Sequence, residues 1–514
     1  MKKAFALLLA VLMLMSLAAC SGGTSSGSTP AASGSAAPAS SSAGNGETVK
    51  VVITLPSMNN LPSEEAKQAV SDALSEYVQG LGYNIAIDVQ PYSLVDYTTD
   101  MNMRLAGGEE LDIIYTGPIN TAVTNGYLVN LDEYRDNVLA EAMKVVGDWD
   151  LCGTVNGSLY GIPAYKGLSL DYKYIYNEEY FKDFDMTQIK SINDLDGLFA
   201  QFKEKYPDEL PAAYTYQVSL PLYCEEDHTA VVGTYFATVG DSTELVSLFD
   251  TAAYKKAAEK AYEWRQKGYV DPEGSAQTLT HDVLSQSGAC KGVYMGHAYS
   301  VPTIEQMFTM NNTYGATFKA VSIGKTSLTS NTLTYGIAYT SKHPKEAAEV
   351  LNLIWTDEYV MSTLIYGLEG VSWEWNADKS SIQYPEGLGL DSVPYTCLFS
   401  CGAFGNQFLL YGMDGNTSNE DKEYMKELID SAWVAPLFGF TPNSDNVSTQ
   451  VAAVSNVYNQ YDKALMYGDV DPASYLPEFQ AALEAAGIKT VIITDEYAGR
   501  DGASQSLADA DPAA

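Results

Sequence analysis

Apolar positions recur along this chain with two periods, one near two residues and one near 3.6. Residues 47–55 (ETVKVVITL) form a β-branched run that ends at Pro56, the pattern of a first buried strand. The spacing of Ala66, Ala69, Val70, Ala73, Leu74 and Val78 predicts a helix that opens at Ser63, Glu64 and Glu65 and is stopped after Leu81 by Gly82. Residues 83–89 (YNIAIDV) alternate as a second strand, residues 97–106 read as a helix ended by Gly107 and Gly108, and residues 111–115 (LDIIY) form a third strand. This order requires parallel pairing through crossover helices, hence an α/β lobe with helices on both faces. Ligands of such sheets sit beyond the carboxyl ends of the strands, which draws attention to residues 57–60 and 116–121.

The pattern then starts again. Residues 171–176 (DYKYIY) alternate like a strand, residues 191–205 read as a helix capped by Asn193 or Asp194, and residues 291–295 form another short strand, so a second α/β unit is expected. Residues 333–339 (LTYGIAY) are strand-like, and His343-Pro344-Lys345 leads into a helix through Ala347, Ala348, Val350, Leu351 and Ile354. Residues 449–466 are helical by pattern, and residues 475–486 form a helix closed by Gly487. No segment repeats at a fixed period.

The N-terminus differs from all of this. Lys2 and Lys3 precede an apolar run ending in Leu17-Ala18-Ala19-Cys20, too short for a comfortable bilayer span and finished by small residues, which is the pattern of an export signal over residues 1–19. The last four residues resemble the lipobox of bacterial lipoproteins, which implies cleavage before Cys20 and a lipid on its sulfur. After Cys20, residues 21–48 are almost wholly Ser, Gly, Ala, Thr and Pro, the composition of a flexible tether reaching on the order of 30 Å.

Composition narrows the chemistry. The chain of 514 residues is 46% hydrophobic, enough to bury at least two cores. Its net charge of -36 repels nucleic acid phosphates and anionic headgroups and disfavours highly charged anionic ligands, while neutral polar ligands and cations remain open. Tyr is abundant at 37 copies, supplying surfaces that are apolar on the face and polar at the tip. Cys152, Cys224, Cys290, Cys397 and Cys401 are odd in number with only one close pair, so no disulfide framework is implied. The four histidines are scattered, and no metal site or cofactor is expected.

The order of segments resembles the extracellular solute-binding proteins of bacterial ABC importers, in the family that includes maltose-binding protein. Residues 111–115 followed by 126–131 (GYLVNL) look like the family's PDII strand and the segment behind it. Residues 156–163 (NGSLYGIP) look like its hairpin before the chain crosses to a second lobe. Residues 291–296 (KGVYMG) resemble the second-lobe strand that ends at the ligand, and residues 339–344 (YTSKHP) the return to the first lobe. Residues 366–370, 404–408 and 439–457 look like a lipoprotein branch with an uncharacterised C-terminal region. Leu111 replaces the family's usual Pro, and Pro118 occupies a loop where maltose-binding protein places polar contacts, so maltose itself does not carry over.

The resemblance implies a two-lobed, type II periplasmic-binding-protein-like α/β fold with discontinuous lobes joined by crossover strands. It divides the chain into a first lobe of residues 49–168 plus 337–372, a second of 169–336 plus 373–450, a helical C-terminal region of 451–497 and a tail of 498–514. Hinge segments fall near residues 166–170 and 333–339, with a third crossing near 371–376. The implied mechanism is capture by hinge closure and delivery to the permease subunits of an importer, by a monomer anchored outside the cell membrane through Cys20. An oligosaccharide is the expected ligand, held by aromatic faces and fixed polar groups.

By the same resemblance, Asn59, Tyr115 and Thr116 line the first lobe, and Tyr214, Tyr216, His297 and Tyr299 face the cleft from the second. Tyr165, Glu369, Trp373 and Trp375 approach from the hinge. Two other classes remain open, a cell-surface glycoside hydrolase and a sensory or structural lipoprotein. Ser322-Ile323-Gly324-Lys325 and Ser444-Asp445-Asn446 match two elements of the penicillin-recognising acyl-enzymes, but the KTG element is missing and Ser322 lies in an extended-looking stretch.

Overall fold

The computed structural model describes residues 48–57, 61–214, 228–325, 327–328, 333–397, 403–413, 417–440 and 447–491. The first lobe begins with β1 (Val49–Ser57), α1 (Glu64–Gly80), β2 (Ile85–Ser93), α2 (Leu94–Ala106) and β3 (Ile113–Tyr115), the order that the apolar spacing requires. Ser63 caps α1, its hydroxyl accepting the Ala66 amide at 3.2 Å. β1 runs parallel to β2 along its whole length and parallel to β3 at Ile53 and Ile113. Further along, β4 (Ile162–Pro163) ends the first passage through this lobe.

The second lobe is centred on β5 (Asp171–Asn177), followed by α3 (Leu195–Lys205), α4 (Ala252–Gln266), β6 (Gly292–His297), α5 (Val301–Asn311) and β7 (Phe318–Lys325). Here β6 and β7 flank β5 and both are antiparallel to it. A separate antiparallel meander is formed by Thr229–Val232, Phe236–Val239 and Val246–Ser247. The chain then returns as β8 (Thr334–Ile337), which inserts between β3 and β4 and completes the first sheet in the order β2-β1-β3-β8-β4. The helices α6 (Pro344–Thr356), α7 (Glu358–Tyr366), α8 (Asn419–Asp430), α9 (Ser448–Met466) and α10 (Pro472–Ala486) follow.

Two large hydrophobic cores define the lobes. The first gathers Val51, Ile53, Leu74, Ile113 and Trp149 with Tyr335, Leu351, Trp355, Trp373, Ile382, Phe404 and Phe438. The second gathers Tyr174, Phe199, Phe202, Trp264 and Tyr294 with Val454, Leu465, Leu476 and Phe479. This partition differs from the expected one in two places. Residues 373–397 and 403–413 belong with the first lobe, because Trp373, Ile382, Tyr395, Phe404 and Met413 are buried in its core. The C-terminal helices α9 and α10 form no separate region, since they supply apolar side chains to the second core and pack on α4.

The hinge shifts accordingly. Residues 164–170 make the first crossing, where Tyr165 donates its amide to the Gly405 carbonyl at 2.8 Å and accepts the Gln407 amide at 2.9 Å. Tyr335 to Ile337 lie inside the first sheet, so the second crossing precedes β8. There the Leu328 amide donates to Trp433 O at 2.9 Å and Leu328 O accepts from Ala435 at 2.8 Å, so the second crossing is bonded to a third that follows α8. Residues 371–376 do not cross. Trp373 donates its indole N–H to Gly367 O at 3.0 Å, and Glu374–Trp375 pairs with Ile382–Gln383, turning this segment back onto the first lobe. Cys152, Cys290 and Cys397 are buried, and burial pushes the thiols of the last two up to about 12.

Candidate functional site

On the first lobe, the carboxyl ends of β1 and β3 bring Tyr115 and Thr116 to one edge of the sheet. Tyr115 is half-buried, with its ring 5.8 Å from Tyr97 and 5.6 Å from Tyr335, and its amide donates to the Tyr97 hydroxyl at 2.9 Å. Burial raises its phenol above the usual range. It helps line a small cavity of about 80 Å³ with Tyr97, Met101, Pro118 and Tyr127. Thr116 is buried and its hydroxyl is committed within the lobe, to Thr334 and to the Gly117 carbonyl. Tyr165 stands edge-on to Trp149 at 5.0 Å and Phe408 at 5.1 Å, in an aromatic group that also includes Phe438.

On the second lobe, β6 delivers His297 and the loop after it delivers Tyr299. Their rings lie 4.2 Å apart. His297 Nδ1 accepts the Tyr299 amide at 3.2 Å, which puts the ring proton of the neutral imidazole on Nε2 as a fixed donor. Burial lowers His297 to about 4, helped by the Lys173 charge and opposed by Asp421, so the ring is uncharged at neutral pH. The Tyr299 hydroxyl meets Thr417 Oγ1 at 3.0 Å. Tyr214 sits further out, its hydroxyl accepting the His281 amide at 3.0 Å and bonding His281 Nδ1 at 2.9 Å, with the Tyr467 ring of α9's C-terminal end at 5.3 Å.

Beside the hinge-facing segment, Glu369 is exposed. Trp375 is half-buried and packs on Tyr411 at 5.0 Å and on Trp373 at 5.5 Å. Trp373 is only 5% exposed, and its N–H is satisfied internally, so it is a core residue that braces Trp375 rather than a cleft surface. Asn59, Tyr216 and Cys20 lie outside the described residues. His297 is thus brought together with Tyr299, and Trp373 with Trp375, whereas Tyr115, Tyr165 and Tyr214 each belong to a different aromatic group.

Beneath His297 lies a polar cluster that sequence reasoning missed. Asp171 and Lys173, on one face of β5, are 1% and 0% exposed and pair at 3.0 Å. Lys173 also donates to the His297 carbonyl at 3.3 Å, and Tyr424 of α8 donates to Asp171 at 2.6 Å. Burial pulls Lys173 below its ordinary value, with Asp171 opposing. The only sequence signal was a pair of opposite charges two apart in a strand, DYK, which alternation assigns to a solvent face. Ser322 of the SxxK match lies on β7 and donates its hydroxyl to Asp171, and Ser444 to Asn446 lie outside the described residues. Among the described residues no group of His, Cys, Asp and Glu could hold a metal ion, and no helix is long and apolar enough to cross a membrane.

Comparison with known proteins agrees with this architecture. The family model for bacterial extracellular solute-binding proteins matches residues 62–361, and a model described as a domain of unknown function matches residues 436–496. The chain belongs to the bacterial extracellular solute-binding protein family, which places it outside the cytoplasmic membrane. A carbohydrate ABC transporter substrate-binding protein of Streptococcus pneumoniae serotype 4 is 23% identical over 415 residues, covering 80% of this chain and 82% of its own. The N-glycan transport solute-binding protein NgtS from Streptococcus pneumoniae aligns with a TM-score of 0.69 at 21% identity, over 90% of this chain and 99% of that one. Its complex with Man1GlcNAc aligns at 0.61 and 21%, over 89% and 99%. The fold is that of the type II solute-binding proteins, α/β and two-lobed.

Proposed function

We propose that this protein is the substrate-binding component of an ABC importer, that it captures a neutral oligosaccharide between its lobes, and that it hands the glycan intact to membrane permease subunits. The observation that carries this reading is the His297–Tyr299 pair at the end of β6, a neutral donor beside an aromatic face. A sugar offers an apolar C–H face to such a ring and hydroxyls to such a donor, and each buried hydroxyl needs a partner. The streptococcal relative is a carbohydrate transporter component, which supports the same class of ligand. Trp375, Tyr115, Tyr165, Tyr214 and Glu369 are the other described contacts in this reading, with Asn59 and Tyr216. The acidic body needs an anchor to stay near its permease, and a lipid on Cys20 with the residues that follow as tether would supply it.

The test is thermal and calorimetric titration with Man5GlcNAc and a panel of neutral oligosaccharides. A ligand at about 100 times its Kd stabilises the folded state by about 2.7 kcal/mol. The glycan is expected to be recovered unchanged by mass spectrometry, and Tyr299→Ala to weaken binding with little loss of stability. Cleaved glycan would identify a hydrolase instead, and no response to any glycan would remove the oligosaccharide reading.

A further inference from the structure

The helix α8 touches both lobes. On the face that carries Lys422, Met425, Lys426 and Ile429, it meets the first lobe: Lys422 donates to Leu410 O at 2.6 Å, and Lys426 lies 5.5 Å above the Phe408 ring. On the face that carries Asp421 and Tyr424, one turn apart, it meets the second, where Tyr424 bonds Asp171. Asp421 is 0% exposed. Its Oδ1 accepts the Ser300 amide at 2.9 Å and the Ser300 hydroxyl at 2.8 Å, and its Oδ2 accepts Thr303 Oγ1 at 2.9 Å, the Ser418 amide at 3.1 Å and Ser418 Oγ at 2.7 Å. Donors thus converge on both oxygens, which only an ionised carboxylate can answer, since an amide would turn a donor toward them. The residue that begins this contact, Ser300, follows Tyr299 directly, and the Tyr299 hydroxyl is itself bonded to Thr417 just before α8. The Tyr299 loop is therefore held at its backbone and at its tip by the start of one helix.

We propose that Asp421 is a positioning residue of the ligand site, which fixes the Tyr299 loop of the second lobe to a helix seated on the first and so sets the angle between the lobes before ligand arrives. The inference deepens the capture reading, but its deciding measurement needs no ligand. Asp421 keeps its carboxylate below the ordinary value despite the opposing burial, because the Ser418, Ser300 and Thr303 bonds favour the charge.

The experiment compares the full chain with Asp421→Asn, which keeps the shape and loses an acceptor, and with Ser300→Ala combined with Thr303→Val, which leaves Asp421 and its helix cap untouched. Small-angle scattering of the ligand-free proteins is expected to show a larger radius of gyration in both variants, and Man5GlcNAc affinity to fall about tenfold through the lost population of the binding-competent arrangement. A packing role alone would spare Asp421→Asn. Unchanged scattering in the folded variants overturns the proposal, and the double variant decides it if Asp421→Asn does not fold. Failure of the wild-type chain to bind the glycan would count against the oligosaccharide reading while leaving the scattering to judge Asp421.

Discussion

The two lobes bury their central strands by different means. In the first, β1 lies between parallel neighbours and closes its core with Val51, Ile53 and Leu55, side chains that ask only to be kept from water. In the second, β5 lies between antiparallel neighbours and is buried along its whole length, although it reads Asp-Tyr-Lys-Tyr-Ile-Tyr-Asn. Every polar group there must be answered. Tyr174 donates to Pro211 O at 2.7 Å, and Lys173 is shared between Asp171 and the His297 carbonyl. An aliphatic strand tolerates a change in its surroundings by losing some packing, whereas a strand carrying a buried ion pair depends on each partner, including those on α8.

Lys173→Met tests this contrast most strongly. It leaves Asp171 buried without its counter-ion, and a loss of about 3–5 kcal/mol in urea unfolding is expected, against about 1 kcal/mol for Ile53→Val in the first lobe. Equal losses would erase the distinction between the lobes. Next comes Trp373→Ala, at about 3 kcal/mol, because the ring fills the first core. Its effect on ligand affinity should follow from Trp375 losing its brace, and an affinity loss without a stability loss would put the ring back in the cleft. Gly167→Ala should cost about 1 kcal/mol, since a Cβ there would stand 3.0 Å from Met425 Cγ and Sδ and 3.1 Å from Ala298 Cβ, where the Met side chain can give way.

The smallest effect at neutral pH belongs to His297. The unfolded chain takes up its proton near 6.5 and the folded protein only near 4, so the stability it contributes is fully present above pH 6.5 and is lost as pH falls from there toward 4. His297→Gln should flatten the pH dependence of unfolding in that window. An unchanged slope would mean that the second lobe does not bury this ring as tightly as its polar strand.

What could be read from the amino-acid order was what local spacing dictates. The β1-α1-β2-α2-β3 unit follows from periods of 2 and 3.6 within short windows, and so do α6 and α10. The lobe boundaries did not follow, because they depend on pairings between distant segments, such as Tyr77 bonding Asp357 across 280 positions. Trp373 was read as a cleft residue by its place in a family pattern, and only tertiary burial reveals it as core. The Ser418-to-Asp421 spacing is a visible helix-start signal, yet its partners Ser300 and Thr303 lie 121 and 118 positions away from Asp421. His297 and Tyr299 were singled out through resemblance, while the buried Asp171–Lys173 pair that bonds the His297 carbonyl was hidden in a strand whose alternation suggested water on one side.

The interleaving of the chain also bears on its biogenesis. Among the described residues the first core draws on segments as late as Phe438 and the second as late as Val491, so each lobe waits for segments far downstream of its sheet. A growing chain that has already passed β7 and β8 holds the strands of both sheets but still lacks part of each core, which cannot lock early. Such a polypeptide keeps its final collapse in reserve until those late segments have joined the sheets they cover.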